Sequence, residues 1–158
     1  MDTAAAIKMI PRCEDSDETW LAWANGWATL RASNLTCARI SAASADFVLE
    51  ETSFPLNPNG AVNGGMVSLA VDQVMGVLAI RTASTGTHPV TAVLQVHFHR
   101  PAYPPLTFSA RLIPGGRNIR TVEVVVHDRD GRHCVTGTGT MASRSHADRR
   151  PEGDGAGE

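Results

Sequence analysis

A long apolar run broken by a single carboxylate constrains the fold of this 158-residue chain more than any other feature. The run starts near Asn63 and continues for about five helical turns to Thr82, apolar on nearly every face of the predicted helix. Such a helix has to be enclosed, which predicts a sheet wrapped around it. The carboxylate is Asp72, and because a charge is expensive to bury, Asp72 is a candidate functional residue. The alternative is a core carboxylate satisfied by hydrogen bonds.

Two glycines, Gly64 and Gly65, stand where the polar loop before this helix ends. Glycines at a helix start leave backbone N–H groups open to a ligand oxygen, with the positive end of the helix dipole behind them. The pair therefore predicts a cradle for a ligand oxygen. A tight turn from loop to helix is the alternative.

An N-terminal helix is predicted over residues 15–34, where Asp15 and Glu18 have the spacing of a capping box. Its apolar residues form one stripe at helical spacing, which is expected to face the core. The stripe consists of Trp20, Trp23, Trp27 and Leu30. Two strands are predicted next, over 35–43 and 46–54.

Four runs of alternating apolar and polar residues after the central helix predict four more strands. They lie at about 90–99, 106–112, 122–126 and 134–141, with a hairpin turn at 130–131. Consecutive strands with hairpin links imply an antiparallel sheet. The predicted fold class is α+β, with a curved antiparallel sheet around a long central helix and an extra N-terminal helix.

The length fits one domain, which we place at residues 15–142. Residues 1–14 form an N-terminal extension, and the charged tail over 143–158, which lacks large apolar residues, is expected to be disordered. No secretory signal is evident, and the apolar run 66–80 is too short to span a membrane. We therefore expect a cytoplasmic protein without a membrane partner.

Charge and composition exclude some functions. A net charge of -2 and a pI near 6.3 argue against a nucleic-acid binder that relies on a global basic field. Cys13, Cys37 and Cys134 are widely spaced and outside CxxC pairs, which predicts reduced thiols rather than disulfides or a zinc site. Aromatic residues make up only 5% of the chain, so a substrate pocket is expected to have aliphatic walls.

Five features of the chain occur in an order that resembles the motif order of one enzyme family. They are Asn57, the triplet 63–65, Asp72, Thr91 and the strand end 98–102. The chain resembles the hot-dog-fold acyl-CoA thioesterases, in their phenylacetate-pathway-type branch, over about residues 45–142. The resemblance implies hydrolysis of an acyl-CoA to free acid and coenzyme A, with no cofactor beyond the coenzyme A of the substrate. The chain departs from the family pattern at Asn63, where the family has a histidine. An asparagine side chain does not take up a proton near neutral pH, whereas a histidine can.

Site roles follow from this resemblance. Asp72 acts as general base on water or as a nucleophile that forms an anhydride, and the sequence does not separate the two. The N–H groups of Gly64 and Gly65 form an oxyanion hole, with Asn63 in a geometric role. Thr91 binds Asp72 or the water, and Asn57 either orients the reacting groups or only forms the turn.

Arginines outnumber acidic residues over residues 90–142, which favours contacts with the phosphates of coenzyme A. Arg100 at a strand end, and Arg117 with Asn118 in a turn, are the candidate substrate-binding residues. His97 and His99 are two apart on one strand but lack an obvious third ligand, so no metal site is predicted.

Helix geometry predicts a dimer. Gly64 and Asp72 are eight residues apart, so about 12 Å of helix separates them, too far for one thioester carbon to meet both. Two helices packed antiparallel about a twofold axis would bring Asp72 of one copy beside the glycines of the other. We therefore expect an obligate homodimer with two shared sites, and the resemblance implies a dimer of dimers.

Two other functions stay open at this point. Asn63 in place of the family histidine favours a non-catalytic protein that binds acyl-CoA. A hot-dog dehydratase acting on acyl thioesters is the other, although that chemistry needs an acid–base histidine or a pair of carboxylates in the pocket.

Overall fold

The computed structural model of the protein describes residues 10–84, 87–115 and 119–145, which form three helices and six strands. The helices are α1 (Asp17–Gly26), α2 (Ala28–Ala32) and α3 (Gly64–Arg81). The strands are β1 (Leu35–Ile40), β2 (Ser44–Leu49), β3 (Thr87–Phe98), β4 (Leu106–Ile113), β5 (Ile119–His127) and β6 (His133–Ser145). The predicted α+β class is confirmed.

Helix α3 is the central element, and the predicted position of this helix is confirmed. Asn63 caps its N-terminus, Thr82 caps its C-terminus, and strands β2 to β6 all contact it. By length and composition alone, α3 is long and apolar enough to cross a membrane, although the run 66–80 within it is shorter than the whole helix. In this fold 56% of the helix is buried, as in a core helix enclosed by a sheet.

The N-terminal segment is two helices instead of the one predicted over 15–34. The chain leaves helical geometry at Trp27, whose φ of -66° and ψ of 127° are extended. The cap of α1 is Ser16, whose hydroxyl accepts the Thr19 N–H, so the capping box at Asp15 was wrong. The Asp15 carboxylate binds a backbone N–H of the preceding turn, which leaves the cap to the serine.

The six strands form one sheet in the order β1-β2-β4-β5-β6-β3, and every neighbouring pair is antiparallel, as predicted. Hairpins link β1 to β2, β4 to β5 and β5 to β6. The expectation that β3 is joined to its sequence neighbour by a hairpin was wrong. Helix α3 carries the chain across the sheet, so β3 becomes the edge strand beside β6, and β4 returns beside β2.

Two glycines of β6 let α3 lie close against the sheet. A Cβ at Gly137 would stand 2.4 Å from Val71 Cγ1, and one at Gly139 would stand 2.7 Å from Met75 Sδ. Val71 and Met75 are one helical turn apart and fully buried. The spacing of the glycines along β6 therefore matches one turn of α3, a signal present in the sequence that strand periodicity alone does not reveal.

Strand ends differ from the sequence boundaries. β1 and β2 are shorter than predicted, and β6 runs to Ser145, so residues 143–145 are strand and not tail. They are strand because Ser143 and the two residues after it pair with the start of β3. The rest of the predicted tail and the first nine residues lie outside the described residues.

Candidate active site

Asp72 lies half-buried in the third turn of α3 and is held by a neighbouring strand. The Thr91 hydroxyl donates a 2.9 Å hydrogen bond to Asp72 Oδ1, so the structure brings these two predicted site residues together. The Gln73 amide donates to Asp72 Oδ2 at 3.3 Å. The β3–β6 pairing shifts register directly after Thr91, and bulges of this kind commonly re-aim side chains beside functional sites.

The carboxylate opens into a pocket of about 260 Å³, here called the Asp72 pocket. Its polar lining comes from Asp72, Gln73 and Thr91, and its remaining walls are apolar or glycine. Two of the three tryptophans of the chain, Trp23 and Trp27, line it beside aliphatic residues, whereas the composition predicted aliphatic walls for a substrate pocket. Helical periodicity assigned both residues to the core and gave no sign of this role.

The start of α3 shows how the two glycines are used. Asn63 Oδ1 accepts the Gly65 N–H at 3.0 Å, as the side chain of a helix N-cap does. Within the described ranges, no hydrogen bond uses the Gly64 N–H. A ligand oxygen therefore finds one open amide here, at Gly64, where the sequence predicted two.

Asn57 is a turn-forming residue in this structure. Its side-chain oxygen accepts the N–H groups of Asn59 at 2.9 Å and Ala61 at 3.1 Å. Its amide nitrogen donates to no acceptor among the residues described. The oxygen of Asn57 therefore shapes the loop, and only its amide end is left for a ligand.

Asn57 and Gly64 line a second cavity of about 320 Å³, here called the Gly64 cleft. Arg100, a predicted phosphate contact, also lines this cleft and is exposed. The Phe98 ring lies beside Gly64, where an added Cβ would meet it at 3.4 Å. Arg117 and Asn118, the other predicted phosphate contacts, lie outside the described residues.

The Asp72 pocket and the Gly64 cleft have no lining residue in common. They open at points of the same helix that are eight residues apart, which is about 12 Å along its axis. One copy of the chain therefore carries the carboxylate and the open amide in two separate cavities. Within a single protomer Asp72 and Gly64 therefore do not meet, as the helix geometry predicted.

His99, which the sequence analysis weighed only as a metal ligand, also lines the Gly64 cleft. His99 Nε2 and His133 Nε2 both lie within hydrogen-bonding distance of the Thr136 hydroxyl, at 2.9 and 2.8 Å. The His99 and His133 rings are in contact, with centroids 4.8 Å apart. Among the described residues, no group of three or more His, Cys, Asp or Glu is placed to hold a metal ion.

Two cysteines are unsuited to nucleophilic catalysis. Burial raises the pKa of the Cys37 thiol to about 12 and that of the Cys134 thiol to about 11. Both thiols are therefore protonated near neutral pH, whereas the thiolate is the nucleophilic form. The carboxylate of Asp72 remains the candidate group for activating water.

Residues 59–135 match the family model described as the thioesterase superfamily. A protein of Saccharolobus solfataricus provisionally named an esterase is 33% identical over 82 residues, which cover 51% of this chain and 54% of that protein. The chain thus spans about half the length of the curated relatives it matches.

Solved structures share the fold. The E. coli PaaI protein from the phenylacetic acid degradation operon has a TM-score of 0.68 and 17% identity, covering 78% of this chain and 94% of that chain. A hypothetical thioesterase from Streptococcus pneumoniae, solved with coenzyme A, has a TM-score of 0.63 and 20% identity, covering 71% and 87%. At these identities the likeness concerns the fold, which is the hot-dog fold predicted.

Proposed function

Because residues 59–135 make this chain a hot-dog-fold member of the thioesterase superfamily, we propose that it is an acyl-CoA thioesterase of the phenylacetate-pathway type. It hydrolyses a thioester to a free acid and coenzyme A, and needs no cofactor beyond the coenzyme A of its substrate. The solved relative that holds coenzyme A supports this choice of substrate. The observation that carries the proposal is the hydrogen bond from Thr91 to Asp72 in the lining of an apolar pocket.

In this reaction Asp72 takes a proton from water while the water oxygen adds to the thioester carbonyl. The tetrahedral oxyanion then collapses, the carbon–sulfur bond breaks, and the proton passes to the departing thiolate of coenzyme A. Attack by Asp72 itself, through an anhydride that water then opens, uses the same geometry. In both routes Thr91 fixes the carboxylate by donating to Oδ1.

The Gly64 N–H is the donor that we assign to the oxyanion, because Asn63 already occupies the Gly65 N–H. The amide lies at the N-terminus of α3, where the helix dipole favours negative charge. Gly64 also lacks a Cβ, so the thioester can approach the backbone closely. Arg100, exposed in the same cleft, would contact a phosphate of coenzyme A.

The active unit that we propose is a homodimer in which each site takes Asp72 from one copy and Gly64 from the other. The edge strand β3 supports this pairing because apolar side chains on it are exposed, including Val93 at 50% and Phe98 at 51%. A second copy paired along this edge would bury those side chains. Two such dimers would form the larger assembly that the family resemblance implies.

A cytoplasmic location is part of the same proposal. Cys37 and Cys134 are buried as thiols and not paired in a disulfide, as expected of a protein from a reducing compartment. The substrate and the partner copy are the only partners that the proposed reaction requires.

The experiment is the release of free thiol from a panel of acyl-CoA substrates by the wild-type protein and by Asp72→Asn. We expect turnover by the wild type and a loss of about 100- to 10,000-fold in kcat for Asp72→Asn, because the base is removed while the pocket is kept. Acyl-CoA binding to Asp72→Asn, measured by calorimetry, should be retained.

A protein that only binds acyl-CoA is the second candidate, since Asn63 holds the helix cap where the family has a titratable histidine. It predicts saturable binding of acyl-CoA by the wild type with no release of thiol. Turnover that survives in Asp72→Asn would contradict the role of Asp72 as the base and would also contradict the protein that only binds acyl-CoA.

A further inference from the structure

The two tryptophans of the Asp72 pocket come from a segment outside the part of the chain that matches the superfamily. Trp23 lies in α1 and Trp27 directly follows it, whereas the family match covers 59–135. We infer that Trp23 and Trp27 are the specificity-determining residues of this protein, which confine the acyl group of the substrate to a compact one. This inference rests on the proposed thioesterase function.

The pocket is laid out to receive an acyl group along α3. The pocket lining includes Asp72, Gly76 and Ile80 of α3. These residues follow one another at four-residue spacing, so they lie on one face of the helix. The distance from the first to the last is about 12 Å along the axis. With the thioester carbonyl at Asp72, the acyl group extends over Gly76 toward Ile80 and packs against the two indoles.

The coenzyme A end of the substrate is expected to lie outside the Asp72 pocket. Coenzyme A carries phosphates, and the polar lining of the Asp72 pocket contains a carboxylate and no cation. The exposed guanidinium of Arg100 lies in the Gly64 cleft, which the proposed dimer brings to the same site from the second copy. The charged part of the substrate therefore belongs to the cleft, which leaves the tryptophan-lined pocket for the acyl group.

The indole wall is a fixed part of the fold. The buried Arg81 guanidinium donates to the Cys13 carbonyl at 2.7 Å and to Asp17 Oδ1 at 3.0 Å. It also lies 5.2 Å from the ring centroid of Trp20, which is 1% exposed. These contacts tie α1 to the end of α3, so the rings of Trp23 and Trp27, 5.5 Å apart, are held at a set distance from Asp72.

Pocket size favours a compact acyl group. Within one copy of the chain, the pocket has a volume of about 260 Å³, which lies below the range of about 300–1,000 Å³ usual for drug-sized ligands. A single ring or a chain of a few carbons suits this volume better than a long fatty chain. Truncating either indole enlarges the pocket, because the side chains beside it are held by α3 and β3 and do not collapse fully into the space.

The test compares kcat/KM across acyl-CoA substrates from acetyl to palmitoyl, together with benzoyl and phenylacetyl, for the wild type, Trp23→Ala and Trp27→Ala. The wild type should prefer the compact acyl groups. In each Ala variant the ratio of dodecanoyl to hexanoyl kcat/KM should rise about tenfold or more, which is the size of effect a hydrophobic pocket gives for a few methylenes. Trp27→Phe should shift the ratio less than Trp27→Ala.

Phe54→Ala is the matched control, since Phe54 is 60% exposed and lines neither cavity. Circular dichroism and thermal unfolding establish which variants are folded. Gly76→Ala should lower the same ratio, because its Cβ would narrow the pocket while standing 3.9 Å from Met141 Cε, an ordinary contact. An unchanged acyl profile in folded Trp23→Ala and Trp27→Ala overturns the inference.

Failure of the proposed function is a separate outcome. If the wild type hydrolyses no substrate of the panel, the thioesterase proposal fails. The effect of Trp23 and Trp27 on acyl-group selectivity is then tested by binding instead. The change in tryptophan fluorescence on titration with each acyl-CoA should then give Kd values that weaken for long acyl groups, and this dependence should disappear in the Ala variants. Identical Kd profiles for the wild type and the Ala variants contradict the inference.

Discussion

At the scale of single residues, the catalytic proposal depends on how one hydroxyl holds one carboxylate. Thr91→Val keeps the shape of the side chain and removes the donor to Asp72 Oδ1. Hydrogen bonds to charged groups contribute about 1.5–3 kcal/mol, so kcat should fall about 10- to 100-fold. KM should change little, because Thr91 acts through the carboxylate and not through the acyl group.

Thr91→Ser is the matched control for this change. It keeps the hydroxyl and should hold kcat within about threefold of the wild type, a small part of the loss expected for Val. Steady-state kinetics with one acyl-CoA distinguishes the two variants. A Val variant with wild-type kcat would show that the hydrogen bond is not needed for turnover.

The second residue-scale prediction concerns the asparagine that replaces the family histidine. Asn63→Ala removes the oxygen that accepts the Gly65 N–H, and losing an N-cap of this kind costs about 0.5–2 kcal/mol of folding free energy. Urea unfolding should show this loss, whereas Asn63→Asp, which keeps a capping oxygen, should retain the stability of the wild type. If Asn63→Ala is as stable as the wild type, the Asn63 cap does not stabilise the fold.

Motif order predicted some site contacts and not others. The order of Asp72 and Thr91 in the family pattern predicted a contact that the structure contains. The tryptophan lining was not predictable, because helical periodicity places Trp20, Trp23 and Trp27 on one stripe although the helix ends at Gly26. A periodic pattern shows which residues avoid water, and it does not show whether they face the core or a pocket.

At the scale of elements, the close approach of α3 to β6 depends on glycine. Gly137→Ala would place a Cβ 2.4 Å from Val71 Cγ1 in the core, so the strand, the helix or both have to shift. Overpacking of this kind costs about 1–3 kcal/mol, although alanine is ordinarily the better residue in a strand. Urea unfolding measures the loss of stability.

Gly26→Ala is the control for this prediction, because a Cβ at Gly26 would meet nothing within 4 Å. It should leave stability unchanged or slightly raised. Val71→Ala in the Gly137→Ala background should cost less than the sum of the single changes, since each residue then makes room for the other. If the losses of stability in the double variant are additive, the strain in Gly137→Ala does not come from its contact with Val71.

Sequence reasoning located the elements better than their neighbours. The central helix was predictable to within one residue at each end, because its apolar run, its capping Asn63 and its terminal Thr82 agree. The place of β3 was not predictable, since alternation identifies a strand but not the strand it pairs with. The glycine spacing of β6 indicates a different contact, the close packing of α3 on β6, and only once Val71 and Met75 are known to face that strand.

At the scale of the whole molecule, the central claim is that one active site needs two copies of the chain. It follows from the two separate cavities, one holding Asp72 and the other the open Gly64 amide. Gly64→Pro is the sharpest way to remove that amide. Proline is tolerated at the first position of a helix and lacks an N–H, and Asn63 already has the extended ψ of 134° that a residue before proline needs.

The most direct measurement is therefore subunit complementation between Asp72→Asn and Gly64→Pro, each of which should be nearly inactive alone. Co-expressed with different tags and purified as mixed dimers, they would regain one intact site per heterodimer. A random one-to-one mixture should recover about a quarter of the wild-type kcat per protomer, because about half of its dimers are mixed. Gly64→Ala keeps the N–H, so it serves as the control for the effect of adding a side chain at this position. Mixed dimers as inactive as the two parents, although folded and paired, would contradict the shared site.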